Sequence, residues 1–319
     1  MTIGLDIMGG DFAPAEAIKG VQHFFEQETA NSPVKILLIG NADAAEPYLP
    51  LLEKYKDRYR LLPTTEVIGM HEHPTKALKE KTNSSISVGF GLLAQGKADA
   101  FISAGNTGAM MVGSMYSVKT IEGLLRPTII SPIPRTDGNY NLLLDAGANA
   151  DCKPEHLVQF AQLGSLYVNR VWGVENPRVG LLNLGEEEGK GNILAQATYP
   201  LLKTQQGINF IGNIEGRDMF LDKAEVIVCE GFTGNVALKM AESIYHIFTE
   251  RGVKDDFLNH FNFEIYGGTP ILGINSPVII GHGISHATAF MNMIKVAVKI
   301  IDTDLTSFIK KLFAQQPAE

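Results

Sequence analysis

Residues 224 to 239 read A-E-V-I-V-C-E-G-F-T-G-N-V-A-L-K, and this stretch decides the fold. The Val- and Ile-rich run up to Gly231 predicts a strand, G-F-T-G a tight turn, and the residues from about Asn235 a helix. Such a turn gathers backbone N–H groups at the positive end of a helix dipole, which suits a phosphate or a developing oxyanion. The layout recurs at residues 98 to 109, A-D-A-F-I-S-A-G-N-T-G-A, where Gly105, Thr107 and Gly108 take the places of Gly231, Thr233 and Gly234. Two copies of one device predict two walls of one site.

Outward from these copies the same alternation continues. Apolar, β-branched runs predict strands at residues 3–8, 34–39, 59–63, 128–133, 141–144, 178–184, 208–212 and 278–280. Helical spacing predicts helices at 15–25, 48–59, 85–95, 109–117, 192–202 and 305–313. Further helices follow a cap at Asp151 or Lys153, run to about Glu250, and extend from Ser285 into the 290s. The polar stretch 69–86, with Lys76, Lys79 and Lys81, reads as a surface loop. Strand–helix alternation throughout predicts an α/β sandwich of three layers, α/β/α, with a largely parallel sheet. Residues 1–319 form one catalytic unit in this reading, as a single domain or as two lobes around a cleft, with no accessory domain.

Composition removes several classes of function. A net charge of −8 argues against a nucleic-acid footprint, which needs a basic face. The two cysteines, Cys152 and Cys229, are too few for a disulfide framework and too far apart for a metal-binding pair, so both read as ordinary thiols in a reducing compartment. The start M-T-I-G-L-D-I-M-G-G-D moves directly into a strand, which predicts a cytoplasmic protein. No apolar run approaches the about 18 residues of a membrane span. No G-x-G-x-x-G opens a helix with an acidic residue at the expected distance, so no nicotinamide cofactor is expected.

In open α/β sheets ligands bind beyond the carboxyl ends of the strands. There this chain collects its small and polar residues: Asp6 with Gly9-Gly10-Asp11, Gly105-Asn106-Thr107-Gly108, Gly147-Ala148-Asn149, Gly185 to Gly191, Gly212-Asn213, Gly231 to Asn235 and Gly281-His282-Gly283. One such loop is ordinary turn chemistry. Seven with one logic predict an anion-binding crevice.

Taken in order, D-I-M-G-G-D-F-A-P (6–14), S-A-G-N-T-G-A (103–109), L-D-A-G-A-N-A-D (144–151), N-L-G-E-E-E-G-K-G (183–191), F-I-G-N-I-E-G-R-D (210–218), G-F-T-G-N-V-A-L-K (231–239) and Y-G-G-T-P-I-L-G (266–273) resemble the acyl-acyl carrier protein:phosphate acyltransferase family of bacterial phospholipid synthesis, the PlsX proteins. The resemblance implies a fold related to phosphotransacetylases and to isocitrate- and isopropylmalate-type dehydrogenases. It implies transfer of a long-chain acyl group from its carrier to inorganic phosphate, giving an acyl phosphate for glycerol 3-phosphate acylation. It also implies a homodimer, a downstream acyl-phosphate:glycerol-3-phosphate acyltransferase as partner, and peripheral membrane contact. Three positions depart from the family pattern: Glu230 replaces the usual Asp, Lys79 a common Arg, and the segment 250–266 is shorter than the helical hairpin tied to the dimer and membrane surfaces.

Phosphate is a competent nucleophile and a thiolate a competent leaving group, so this reaction needs positioning and charge neutralisation rather than a covalent triad. Lys190, flanked by glycines, is the candidate cation for phosphate or oxyanion, the alternative being a solvated lysine. Asn235 is the candidate donor to the acyl carbonyl or to phosphate, and Asn106 and Asn149 share with it the alternative of helix capping. Thr107 and Thr233 offer hydroxyls to the anion or tie the turns. His282 binds phosphate or protonates the departing thiolate, or is a buried hydrogen-bonded histidine. The carboxylates Asp6, Asp11, Asp145 and Glu186 read as orienting Lys190 and backbone amides, with no metal. The three lysines at 76, 79 and 81, or Lys295 and Lys299, offer a basic patch to an acidic carrier, and Met110, Met111, Met115, Met291 and Met293 an acyl groove, core packing being the alternative for the methionines. Competing functions are a short-chain phosphotransacetylase using coenzyme A and a catalytically silent carrier-binding scaffold.

Overall fold

Short runs of Ile, Leu and Val between helix-forming segments give eleven strands and twelve α-helices among residues 1–29 and 32–314, which the computed structural model describes. They fall into two units, residues 1–120 with 263–306, and residues 121–262 with 307 onward. The first unit opens with β1 (Thr2–Asp6), α1 (Ala15–Gln27), β2 (Lys35–Gly40), α2 (Ala42–Ala45), β3 (Tyr59–Pro63), α3 (Pro74–Glu80), α4 (Ser85–Ala94), β4 (Ala100–Ser103) and α5 (Thr107–Gly113). The second holds β5 (Thr128–Pro134), β6 (Tyr140–Leu144), α6 (Pro154–Trp172), β7 (Arg178–Leu182), α7 (Ile193–Thr204), β8 (Asn209–Ile214), β9 (Val226–Val228), α8 (Gly231–Glu250) and α9 (Asp256–Asn259). The chain then returns through α10 (Phe263–Tyr266), β10 (Thr269–Leu272), β11 (Val278–Ile280) and α11 (Ala287–Asp302), and ends in α12 (Leu305–Ala314).

In the first unit β3, β2, β1, β4 and β11 lie side by side in parallel, and β10 is antiparallel to β11. In the second, β6, β9, β7 and β8 are parallel in that order, with β5 antiparallel to β6. The three-layer α/β reading with a largely parallel sheet is correct. Ile3, Leu5, Ile36, Leu38, Leu142, Leu144, Val226 and Val228 are fully buried. Each contributes about 1.5–3 kcal/mol relative to an exposed position. Parallel strands covered on both faces need such continuous apolar runs, which is why they were legible.

Local chemistry moved several boundaries. Residues 46–55 form a 3-10 helix rather than the α-helix expected at 48–59, because Pro47 and Pro50 lack N–H groups. Within the expected loop at 69–86, Pro74 opens helix α3, where its missing donor costs nothing. The largest revision concerns the opening stretch: α8 begins at Gly231, not near Asn235. The Glu230 side chain accepts the Thr233 N–H at 3.1 Å, and Gly234 N–H donates to Glu230 O at 3.0 Å, so G-F-T-G is the first helical turn.

At the opposite strand ends of the second unit, a charge network ties three segments. Arg135, 7% exposed, pairs with Asp137, with Asp222 at 2.9 Å and with Glu225 at 3.9 Å. Arg178 pairs with Asp222 and Glu225. Hydrogen bonding to Arg135 holds the Asp137 carboxyl down at about 2. That depressed value adds stability present above the ordinary carboxylate range, near 4, and lost as pH falls toward about 2. Arg135→Leu, which removes the guanidinium from Asp137 and leaves Glu225 and Asp222 to Arg178 alone, is expected to cost about 1–2 kcal/mol at pH 7. Its deficit against the unaltered chain should narrow as pH falls from 4 toward 2. Urea midpoints across that range check both, and a pH-independent deficit would refute the electrostatic account.

Candidate active site

The site in the first unit is built from the end of β1. Asp6, 1% exposed, accepts hydrogen bonds from Ser103 Oγ at 2.6 Å and Met8 N–H at 2.8 Å. Burial pushes its pKa up, against hydrogen bonds from Ser103, Ser85, Met8 and Gly9 that pull it down. Ser103 also accepts the Gly105 N–H at 2.9 Å, so one hydroxyl couples the β1 and β4 loops. These loops touch at Gly9, where a Cβ would lie 2.6 Å from Gly105 N and 2.8 Å from Asp6 Oδ2. A third loop closes in: Asp11 N–H donates to Gly283 O at 2.7 Å and Gly281 N–H to Ser103 O at 2.9 Å. His282, between them, is half-buried with its ring 4.6 Å from that of Phe263.

Asn106 caps α5, its Oδ1 accepting the Ala109 N–H at 2.9 Å. Its Nδ2 donates to the carbonyls of Gly69, Met70 and Glu72 at 3.0, 3.2 and 2.9 Å. Both ends of this amide are committed to backbone, so Asn106 acts through the loop it holds. Thr107 is exposed at the first turn, beside Gly108.

The second unit repeats the plan at the end of β6. Asp145, fully buried, accepts N–H groups of Ile129, Gly147, Ala148 and Asn149 at 2.7–3.2 Å and the Asn149 amide at 2.8 Å. Burial again raises its pKa against these hydrogen bonds. Asn149 donates to Pro127 O at 2.8 Å and accepts the Gly231 N–H at 2.8 Å through its carbonyl, which fastens α8 to the loop. Gly234 is forced by proximity: a Cβ there would lie 1.9 Å from Asp145 O. A Cβ on Gly147 would lie 3.3 Å from Asn235 Oδ1, so the Asn235 side chain lies over this loop. Asn235 thus stands in the second turn of α8, exposed, rather than at the helix start.

Both units therefore bring their predicted groups together: Asp6, Gly9, Gly10, Asp11, Gly105 to Gly108 and His282 in one, Asn149, Gly231, Thr233, Gly234 and Asn235 in the other. Lys190 is exposed in the 185–191 loop and pairs with Glu187 at 3.9 Å. Glu186, expected to orient Lys190, instead pairs with Lys223 at 2.5 Å. Sequence reasoning missed Ser103 and Ser85 as partners of Asp6 and Glu230 as the α8 cap. The D-x-x-G pattern at 6–9, with a serine two residues before Gly105, is the only trace of the first pair, and E-x-x-T at 230–233 reverses the usual S/T-x-x-E capping order, which hid the cap. Neither thiol is activated: burial raises Cys229 well above its ordinary value and pushes Cys152 up to about 11.

A family model described as fatty acid synthesis protein matches residues 1–308. A protein named phosphate acyltransferase from Desulfitobacterium hafniense (strain DSM 10664 / DCB-2) is 42% identical over 332 residues, covering 98% of this chain and 97% of its own length. Among solved structures, a phosphotransacetylase from Streptococcus pyogenes matches with a TM-score of 0.66 at 15% identity, over 94% of each chain. A branched-chain phosphotransacylase from Enterococcus faecalis V583 matches at 0.62 and 14% identity, over 94% of this chain and 98% of its own. The two structures speak to the fold.

The clamp makes a sharp prediction about two glycines. Gly234→Ala, which drives a Cβ into the Asp145 carbonyl, should destabilise the chain by about 3 kcal/mol or more. Gly216→Ala, with no atom within 4 Å of the new Cβ, should change stability by less than about 1 kcal/mol. Equal denaturation midpoints for the two variants would overturn the packing account of the glycine signature.

Proposed function

The chain belongs to the fatty acid synthesis protein family and is an acyltransferase, and from that premise we propose that it moves a long-chain acyl group from acyl carrier protein to inorganic phosphate. The product is an acyl phosphate, the donor for acylation of glycerol 3-phosphate. The observation that carries this reading is the likeness, over nearly the whole chain, to a phosphate acyltransferase. The suppressed thiols support it further, since a direct transfer needs no acyl-enzyme.

In the step proposed, a phosphate oxygen adds its lone pair to the thioester carbonyl carbon and the carbonyl oxygen becomes an oxyanion. The carbon–sulfur bond then breaks and the thiolate leaves with the electron pair and takes up a proton. Lys190 is assigned to neutralise phosphate or oxyanion, and Asn235 to donate to the carbonyl oxygen. Thr233 and Asn149, with Gly231 and Gly234, shape the second unit's pocket. In the first unit Thr107 and the glycine turns are assigned to an anion, and His282 to phosphate binding or proton donation. Asp6 and Asp145 act by holding these loops.

The same reading makes the protein a cytoplasmic homodimer that hands its product to an acyl-phosphate:glycerol-3-phosphate acyltransferase. Among the described residues no helix is long and apolar enough to cross a membrane. Any membrane contact is proposed to be peripheral.

Purified protein given phosphate and either palmitoyl-carrier or acetyl-coenzyme A is expected to form acyl phosphate from the first. Turnover with acetyl-coenzyme A alone would replace this reading with a short-chain phosphotransacetylase, and no turnover with either would leave a carrier-binding scaffold. Lys190→Ala and Asn235→Ala should each lower kcat/KM by about 100-fold, and unchanged rates would refute their assigned roles.

A further inference from the structure

The second unit carries a cleft of about 470 Å³ at the C-terminal ends of β7 and β9, alongside the first three turns of α8. Its walls are apolar. Phe232, Val236 and Met240 stand four residues apart on α8 and face Leu184, Leu194 and Met219. Four of these six are well exposed: Leu184 72%, Phe232 66%, Val236 49% and Met240 69%. Large apolar side chains left in water beside a strand-end pocket mark a binding surface.

The chemistry of the lining selects the occupant. The cleft contains no Lys, Arg or His, which disfavours a nucleotide or another phosphorylated group within it. Its one charged side chain, Glu230, is bonded to the Thr233 hydroxyl at 2.5 Å and to the Thr233 N–H. Glu230 and Thr233 stand at the start of α8, Asn183 and Asn192 are the other polar side chains of the lining, and apart from Gly216 and Cys229 the remainder is Leu, Met, Phe, Val and Ala, side chains that accept a flexible hydrocarbon without directional demands. The volume lies within the range of pockets that enclose a small molecule. Of the methionines expected from the sequence to form such a groove, Met110, Met291 and Met293 are buried in the first unit, whereas Met111 is half-buried and Met115 exposed there.

We propose that this cleft holds the hydrocarbon chain of the acyl donor, with the thioester carbonyl at the Glu230–Thr233 end and the chain running along Phe232, Val236 and Met240. The proposal rests on the acyl-transfer reading above and gives that reading a specificity determinant.

The test uses the full chain with cis-parinaric acid as a fluorescent probe and palmitoyl- and octanoyl-carrier as donors. The variants are Val236→Trp, which narrows the cleft, and Met240→Glu, which charges its wall; both positions are exposed, so the fold is preserved, as circular dichroism would verify. The unaltered chain should bind the probe in competition with palmitate, and each variant should weaken binding about tenfold or more. Val236→Trp should also lower the palmitoyl-to-octanoyl ratio of kcat/KM by about tenfold. Probe binding unaltered in both variants would overturn the proposal, as would variants that change only the association of two copies, which would make the face a contact between protomers. Weakened probe binding without acyl phosphate from any donor would uphold the alkyl-chain cleft and refute the transfer reaction instead.

Discussion

A carboxylate buried at the end of a strand is the constraint on which both units depend. Asp6 and Asp145 have 1% and 0% exposure, a burial that would cost several kcal/mol if unanswered. Each is answered by donors from neighbouring loops, a serine hydroxyl and backbone N–H groups for Asp6, four backbone N–H groups and an amide for Asp145. Bringing those donors within hydrogen-bond distance brings whole loops together. No room is then left for a Cβ at Gly9, Gly231 or Gly234.

This changes the meaning of the repeated G-x-T-G motif. At α8 its glycines serve close packing, and the N-terminal end of the helix dipole already meets the Glu230 carboxylate. What the helix start presents is side chains, with Thr233 beside Glu230, Asn235 over the 145–149 loop and an apolar stripe beyond. A polar end leading into an apolar wall matches the two halves of an acyl thioester.

Much of this was legible because it is local. Continuous Val, Ile and Leu runs identify parallel strands, and the strand-end glycines mark the loops that pack around Asp6 and Asp145. Other features were hidden by competition between local signals. Glycine reads as a turn, so G-F-T-G masked the first turn of α8, although Glu230 three residues before Thr233 is a cap. Proline reads as a breaker, so Pro74 masked the helix it opens, and Pro47 and Pro50 changed a helix type without removing it. The partners of Asp6 were beyond reach: Ser103 lies 97 residues away in sequence, and only the pairing of β1 with β4 brings the two together.

By itself the sequence determined the fold class, all strands but β10, the longer helices, the loops that carry polar residues and the family, because each follows from periodicity or from an ordered set of short motifs. The tertiary structure decided which polar groups remain available. Asn106 is tied to three carbonyls, Glu186 to Lys223, Glu230 to Thr233, and three of the five methionines expected to form a groove, Met110, Met291 and Met293, are core. It also decided where an apolar cleft opens beside the strand ends. The reason is physical: a side chain's chemistry is set by its type, but its hydrogen-bond partners and its exposure are set by segments distant in sequence that packing brings alongside.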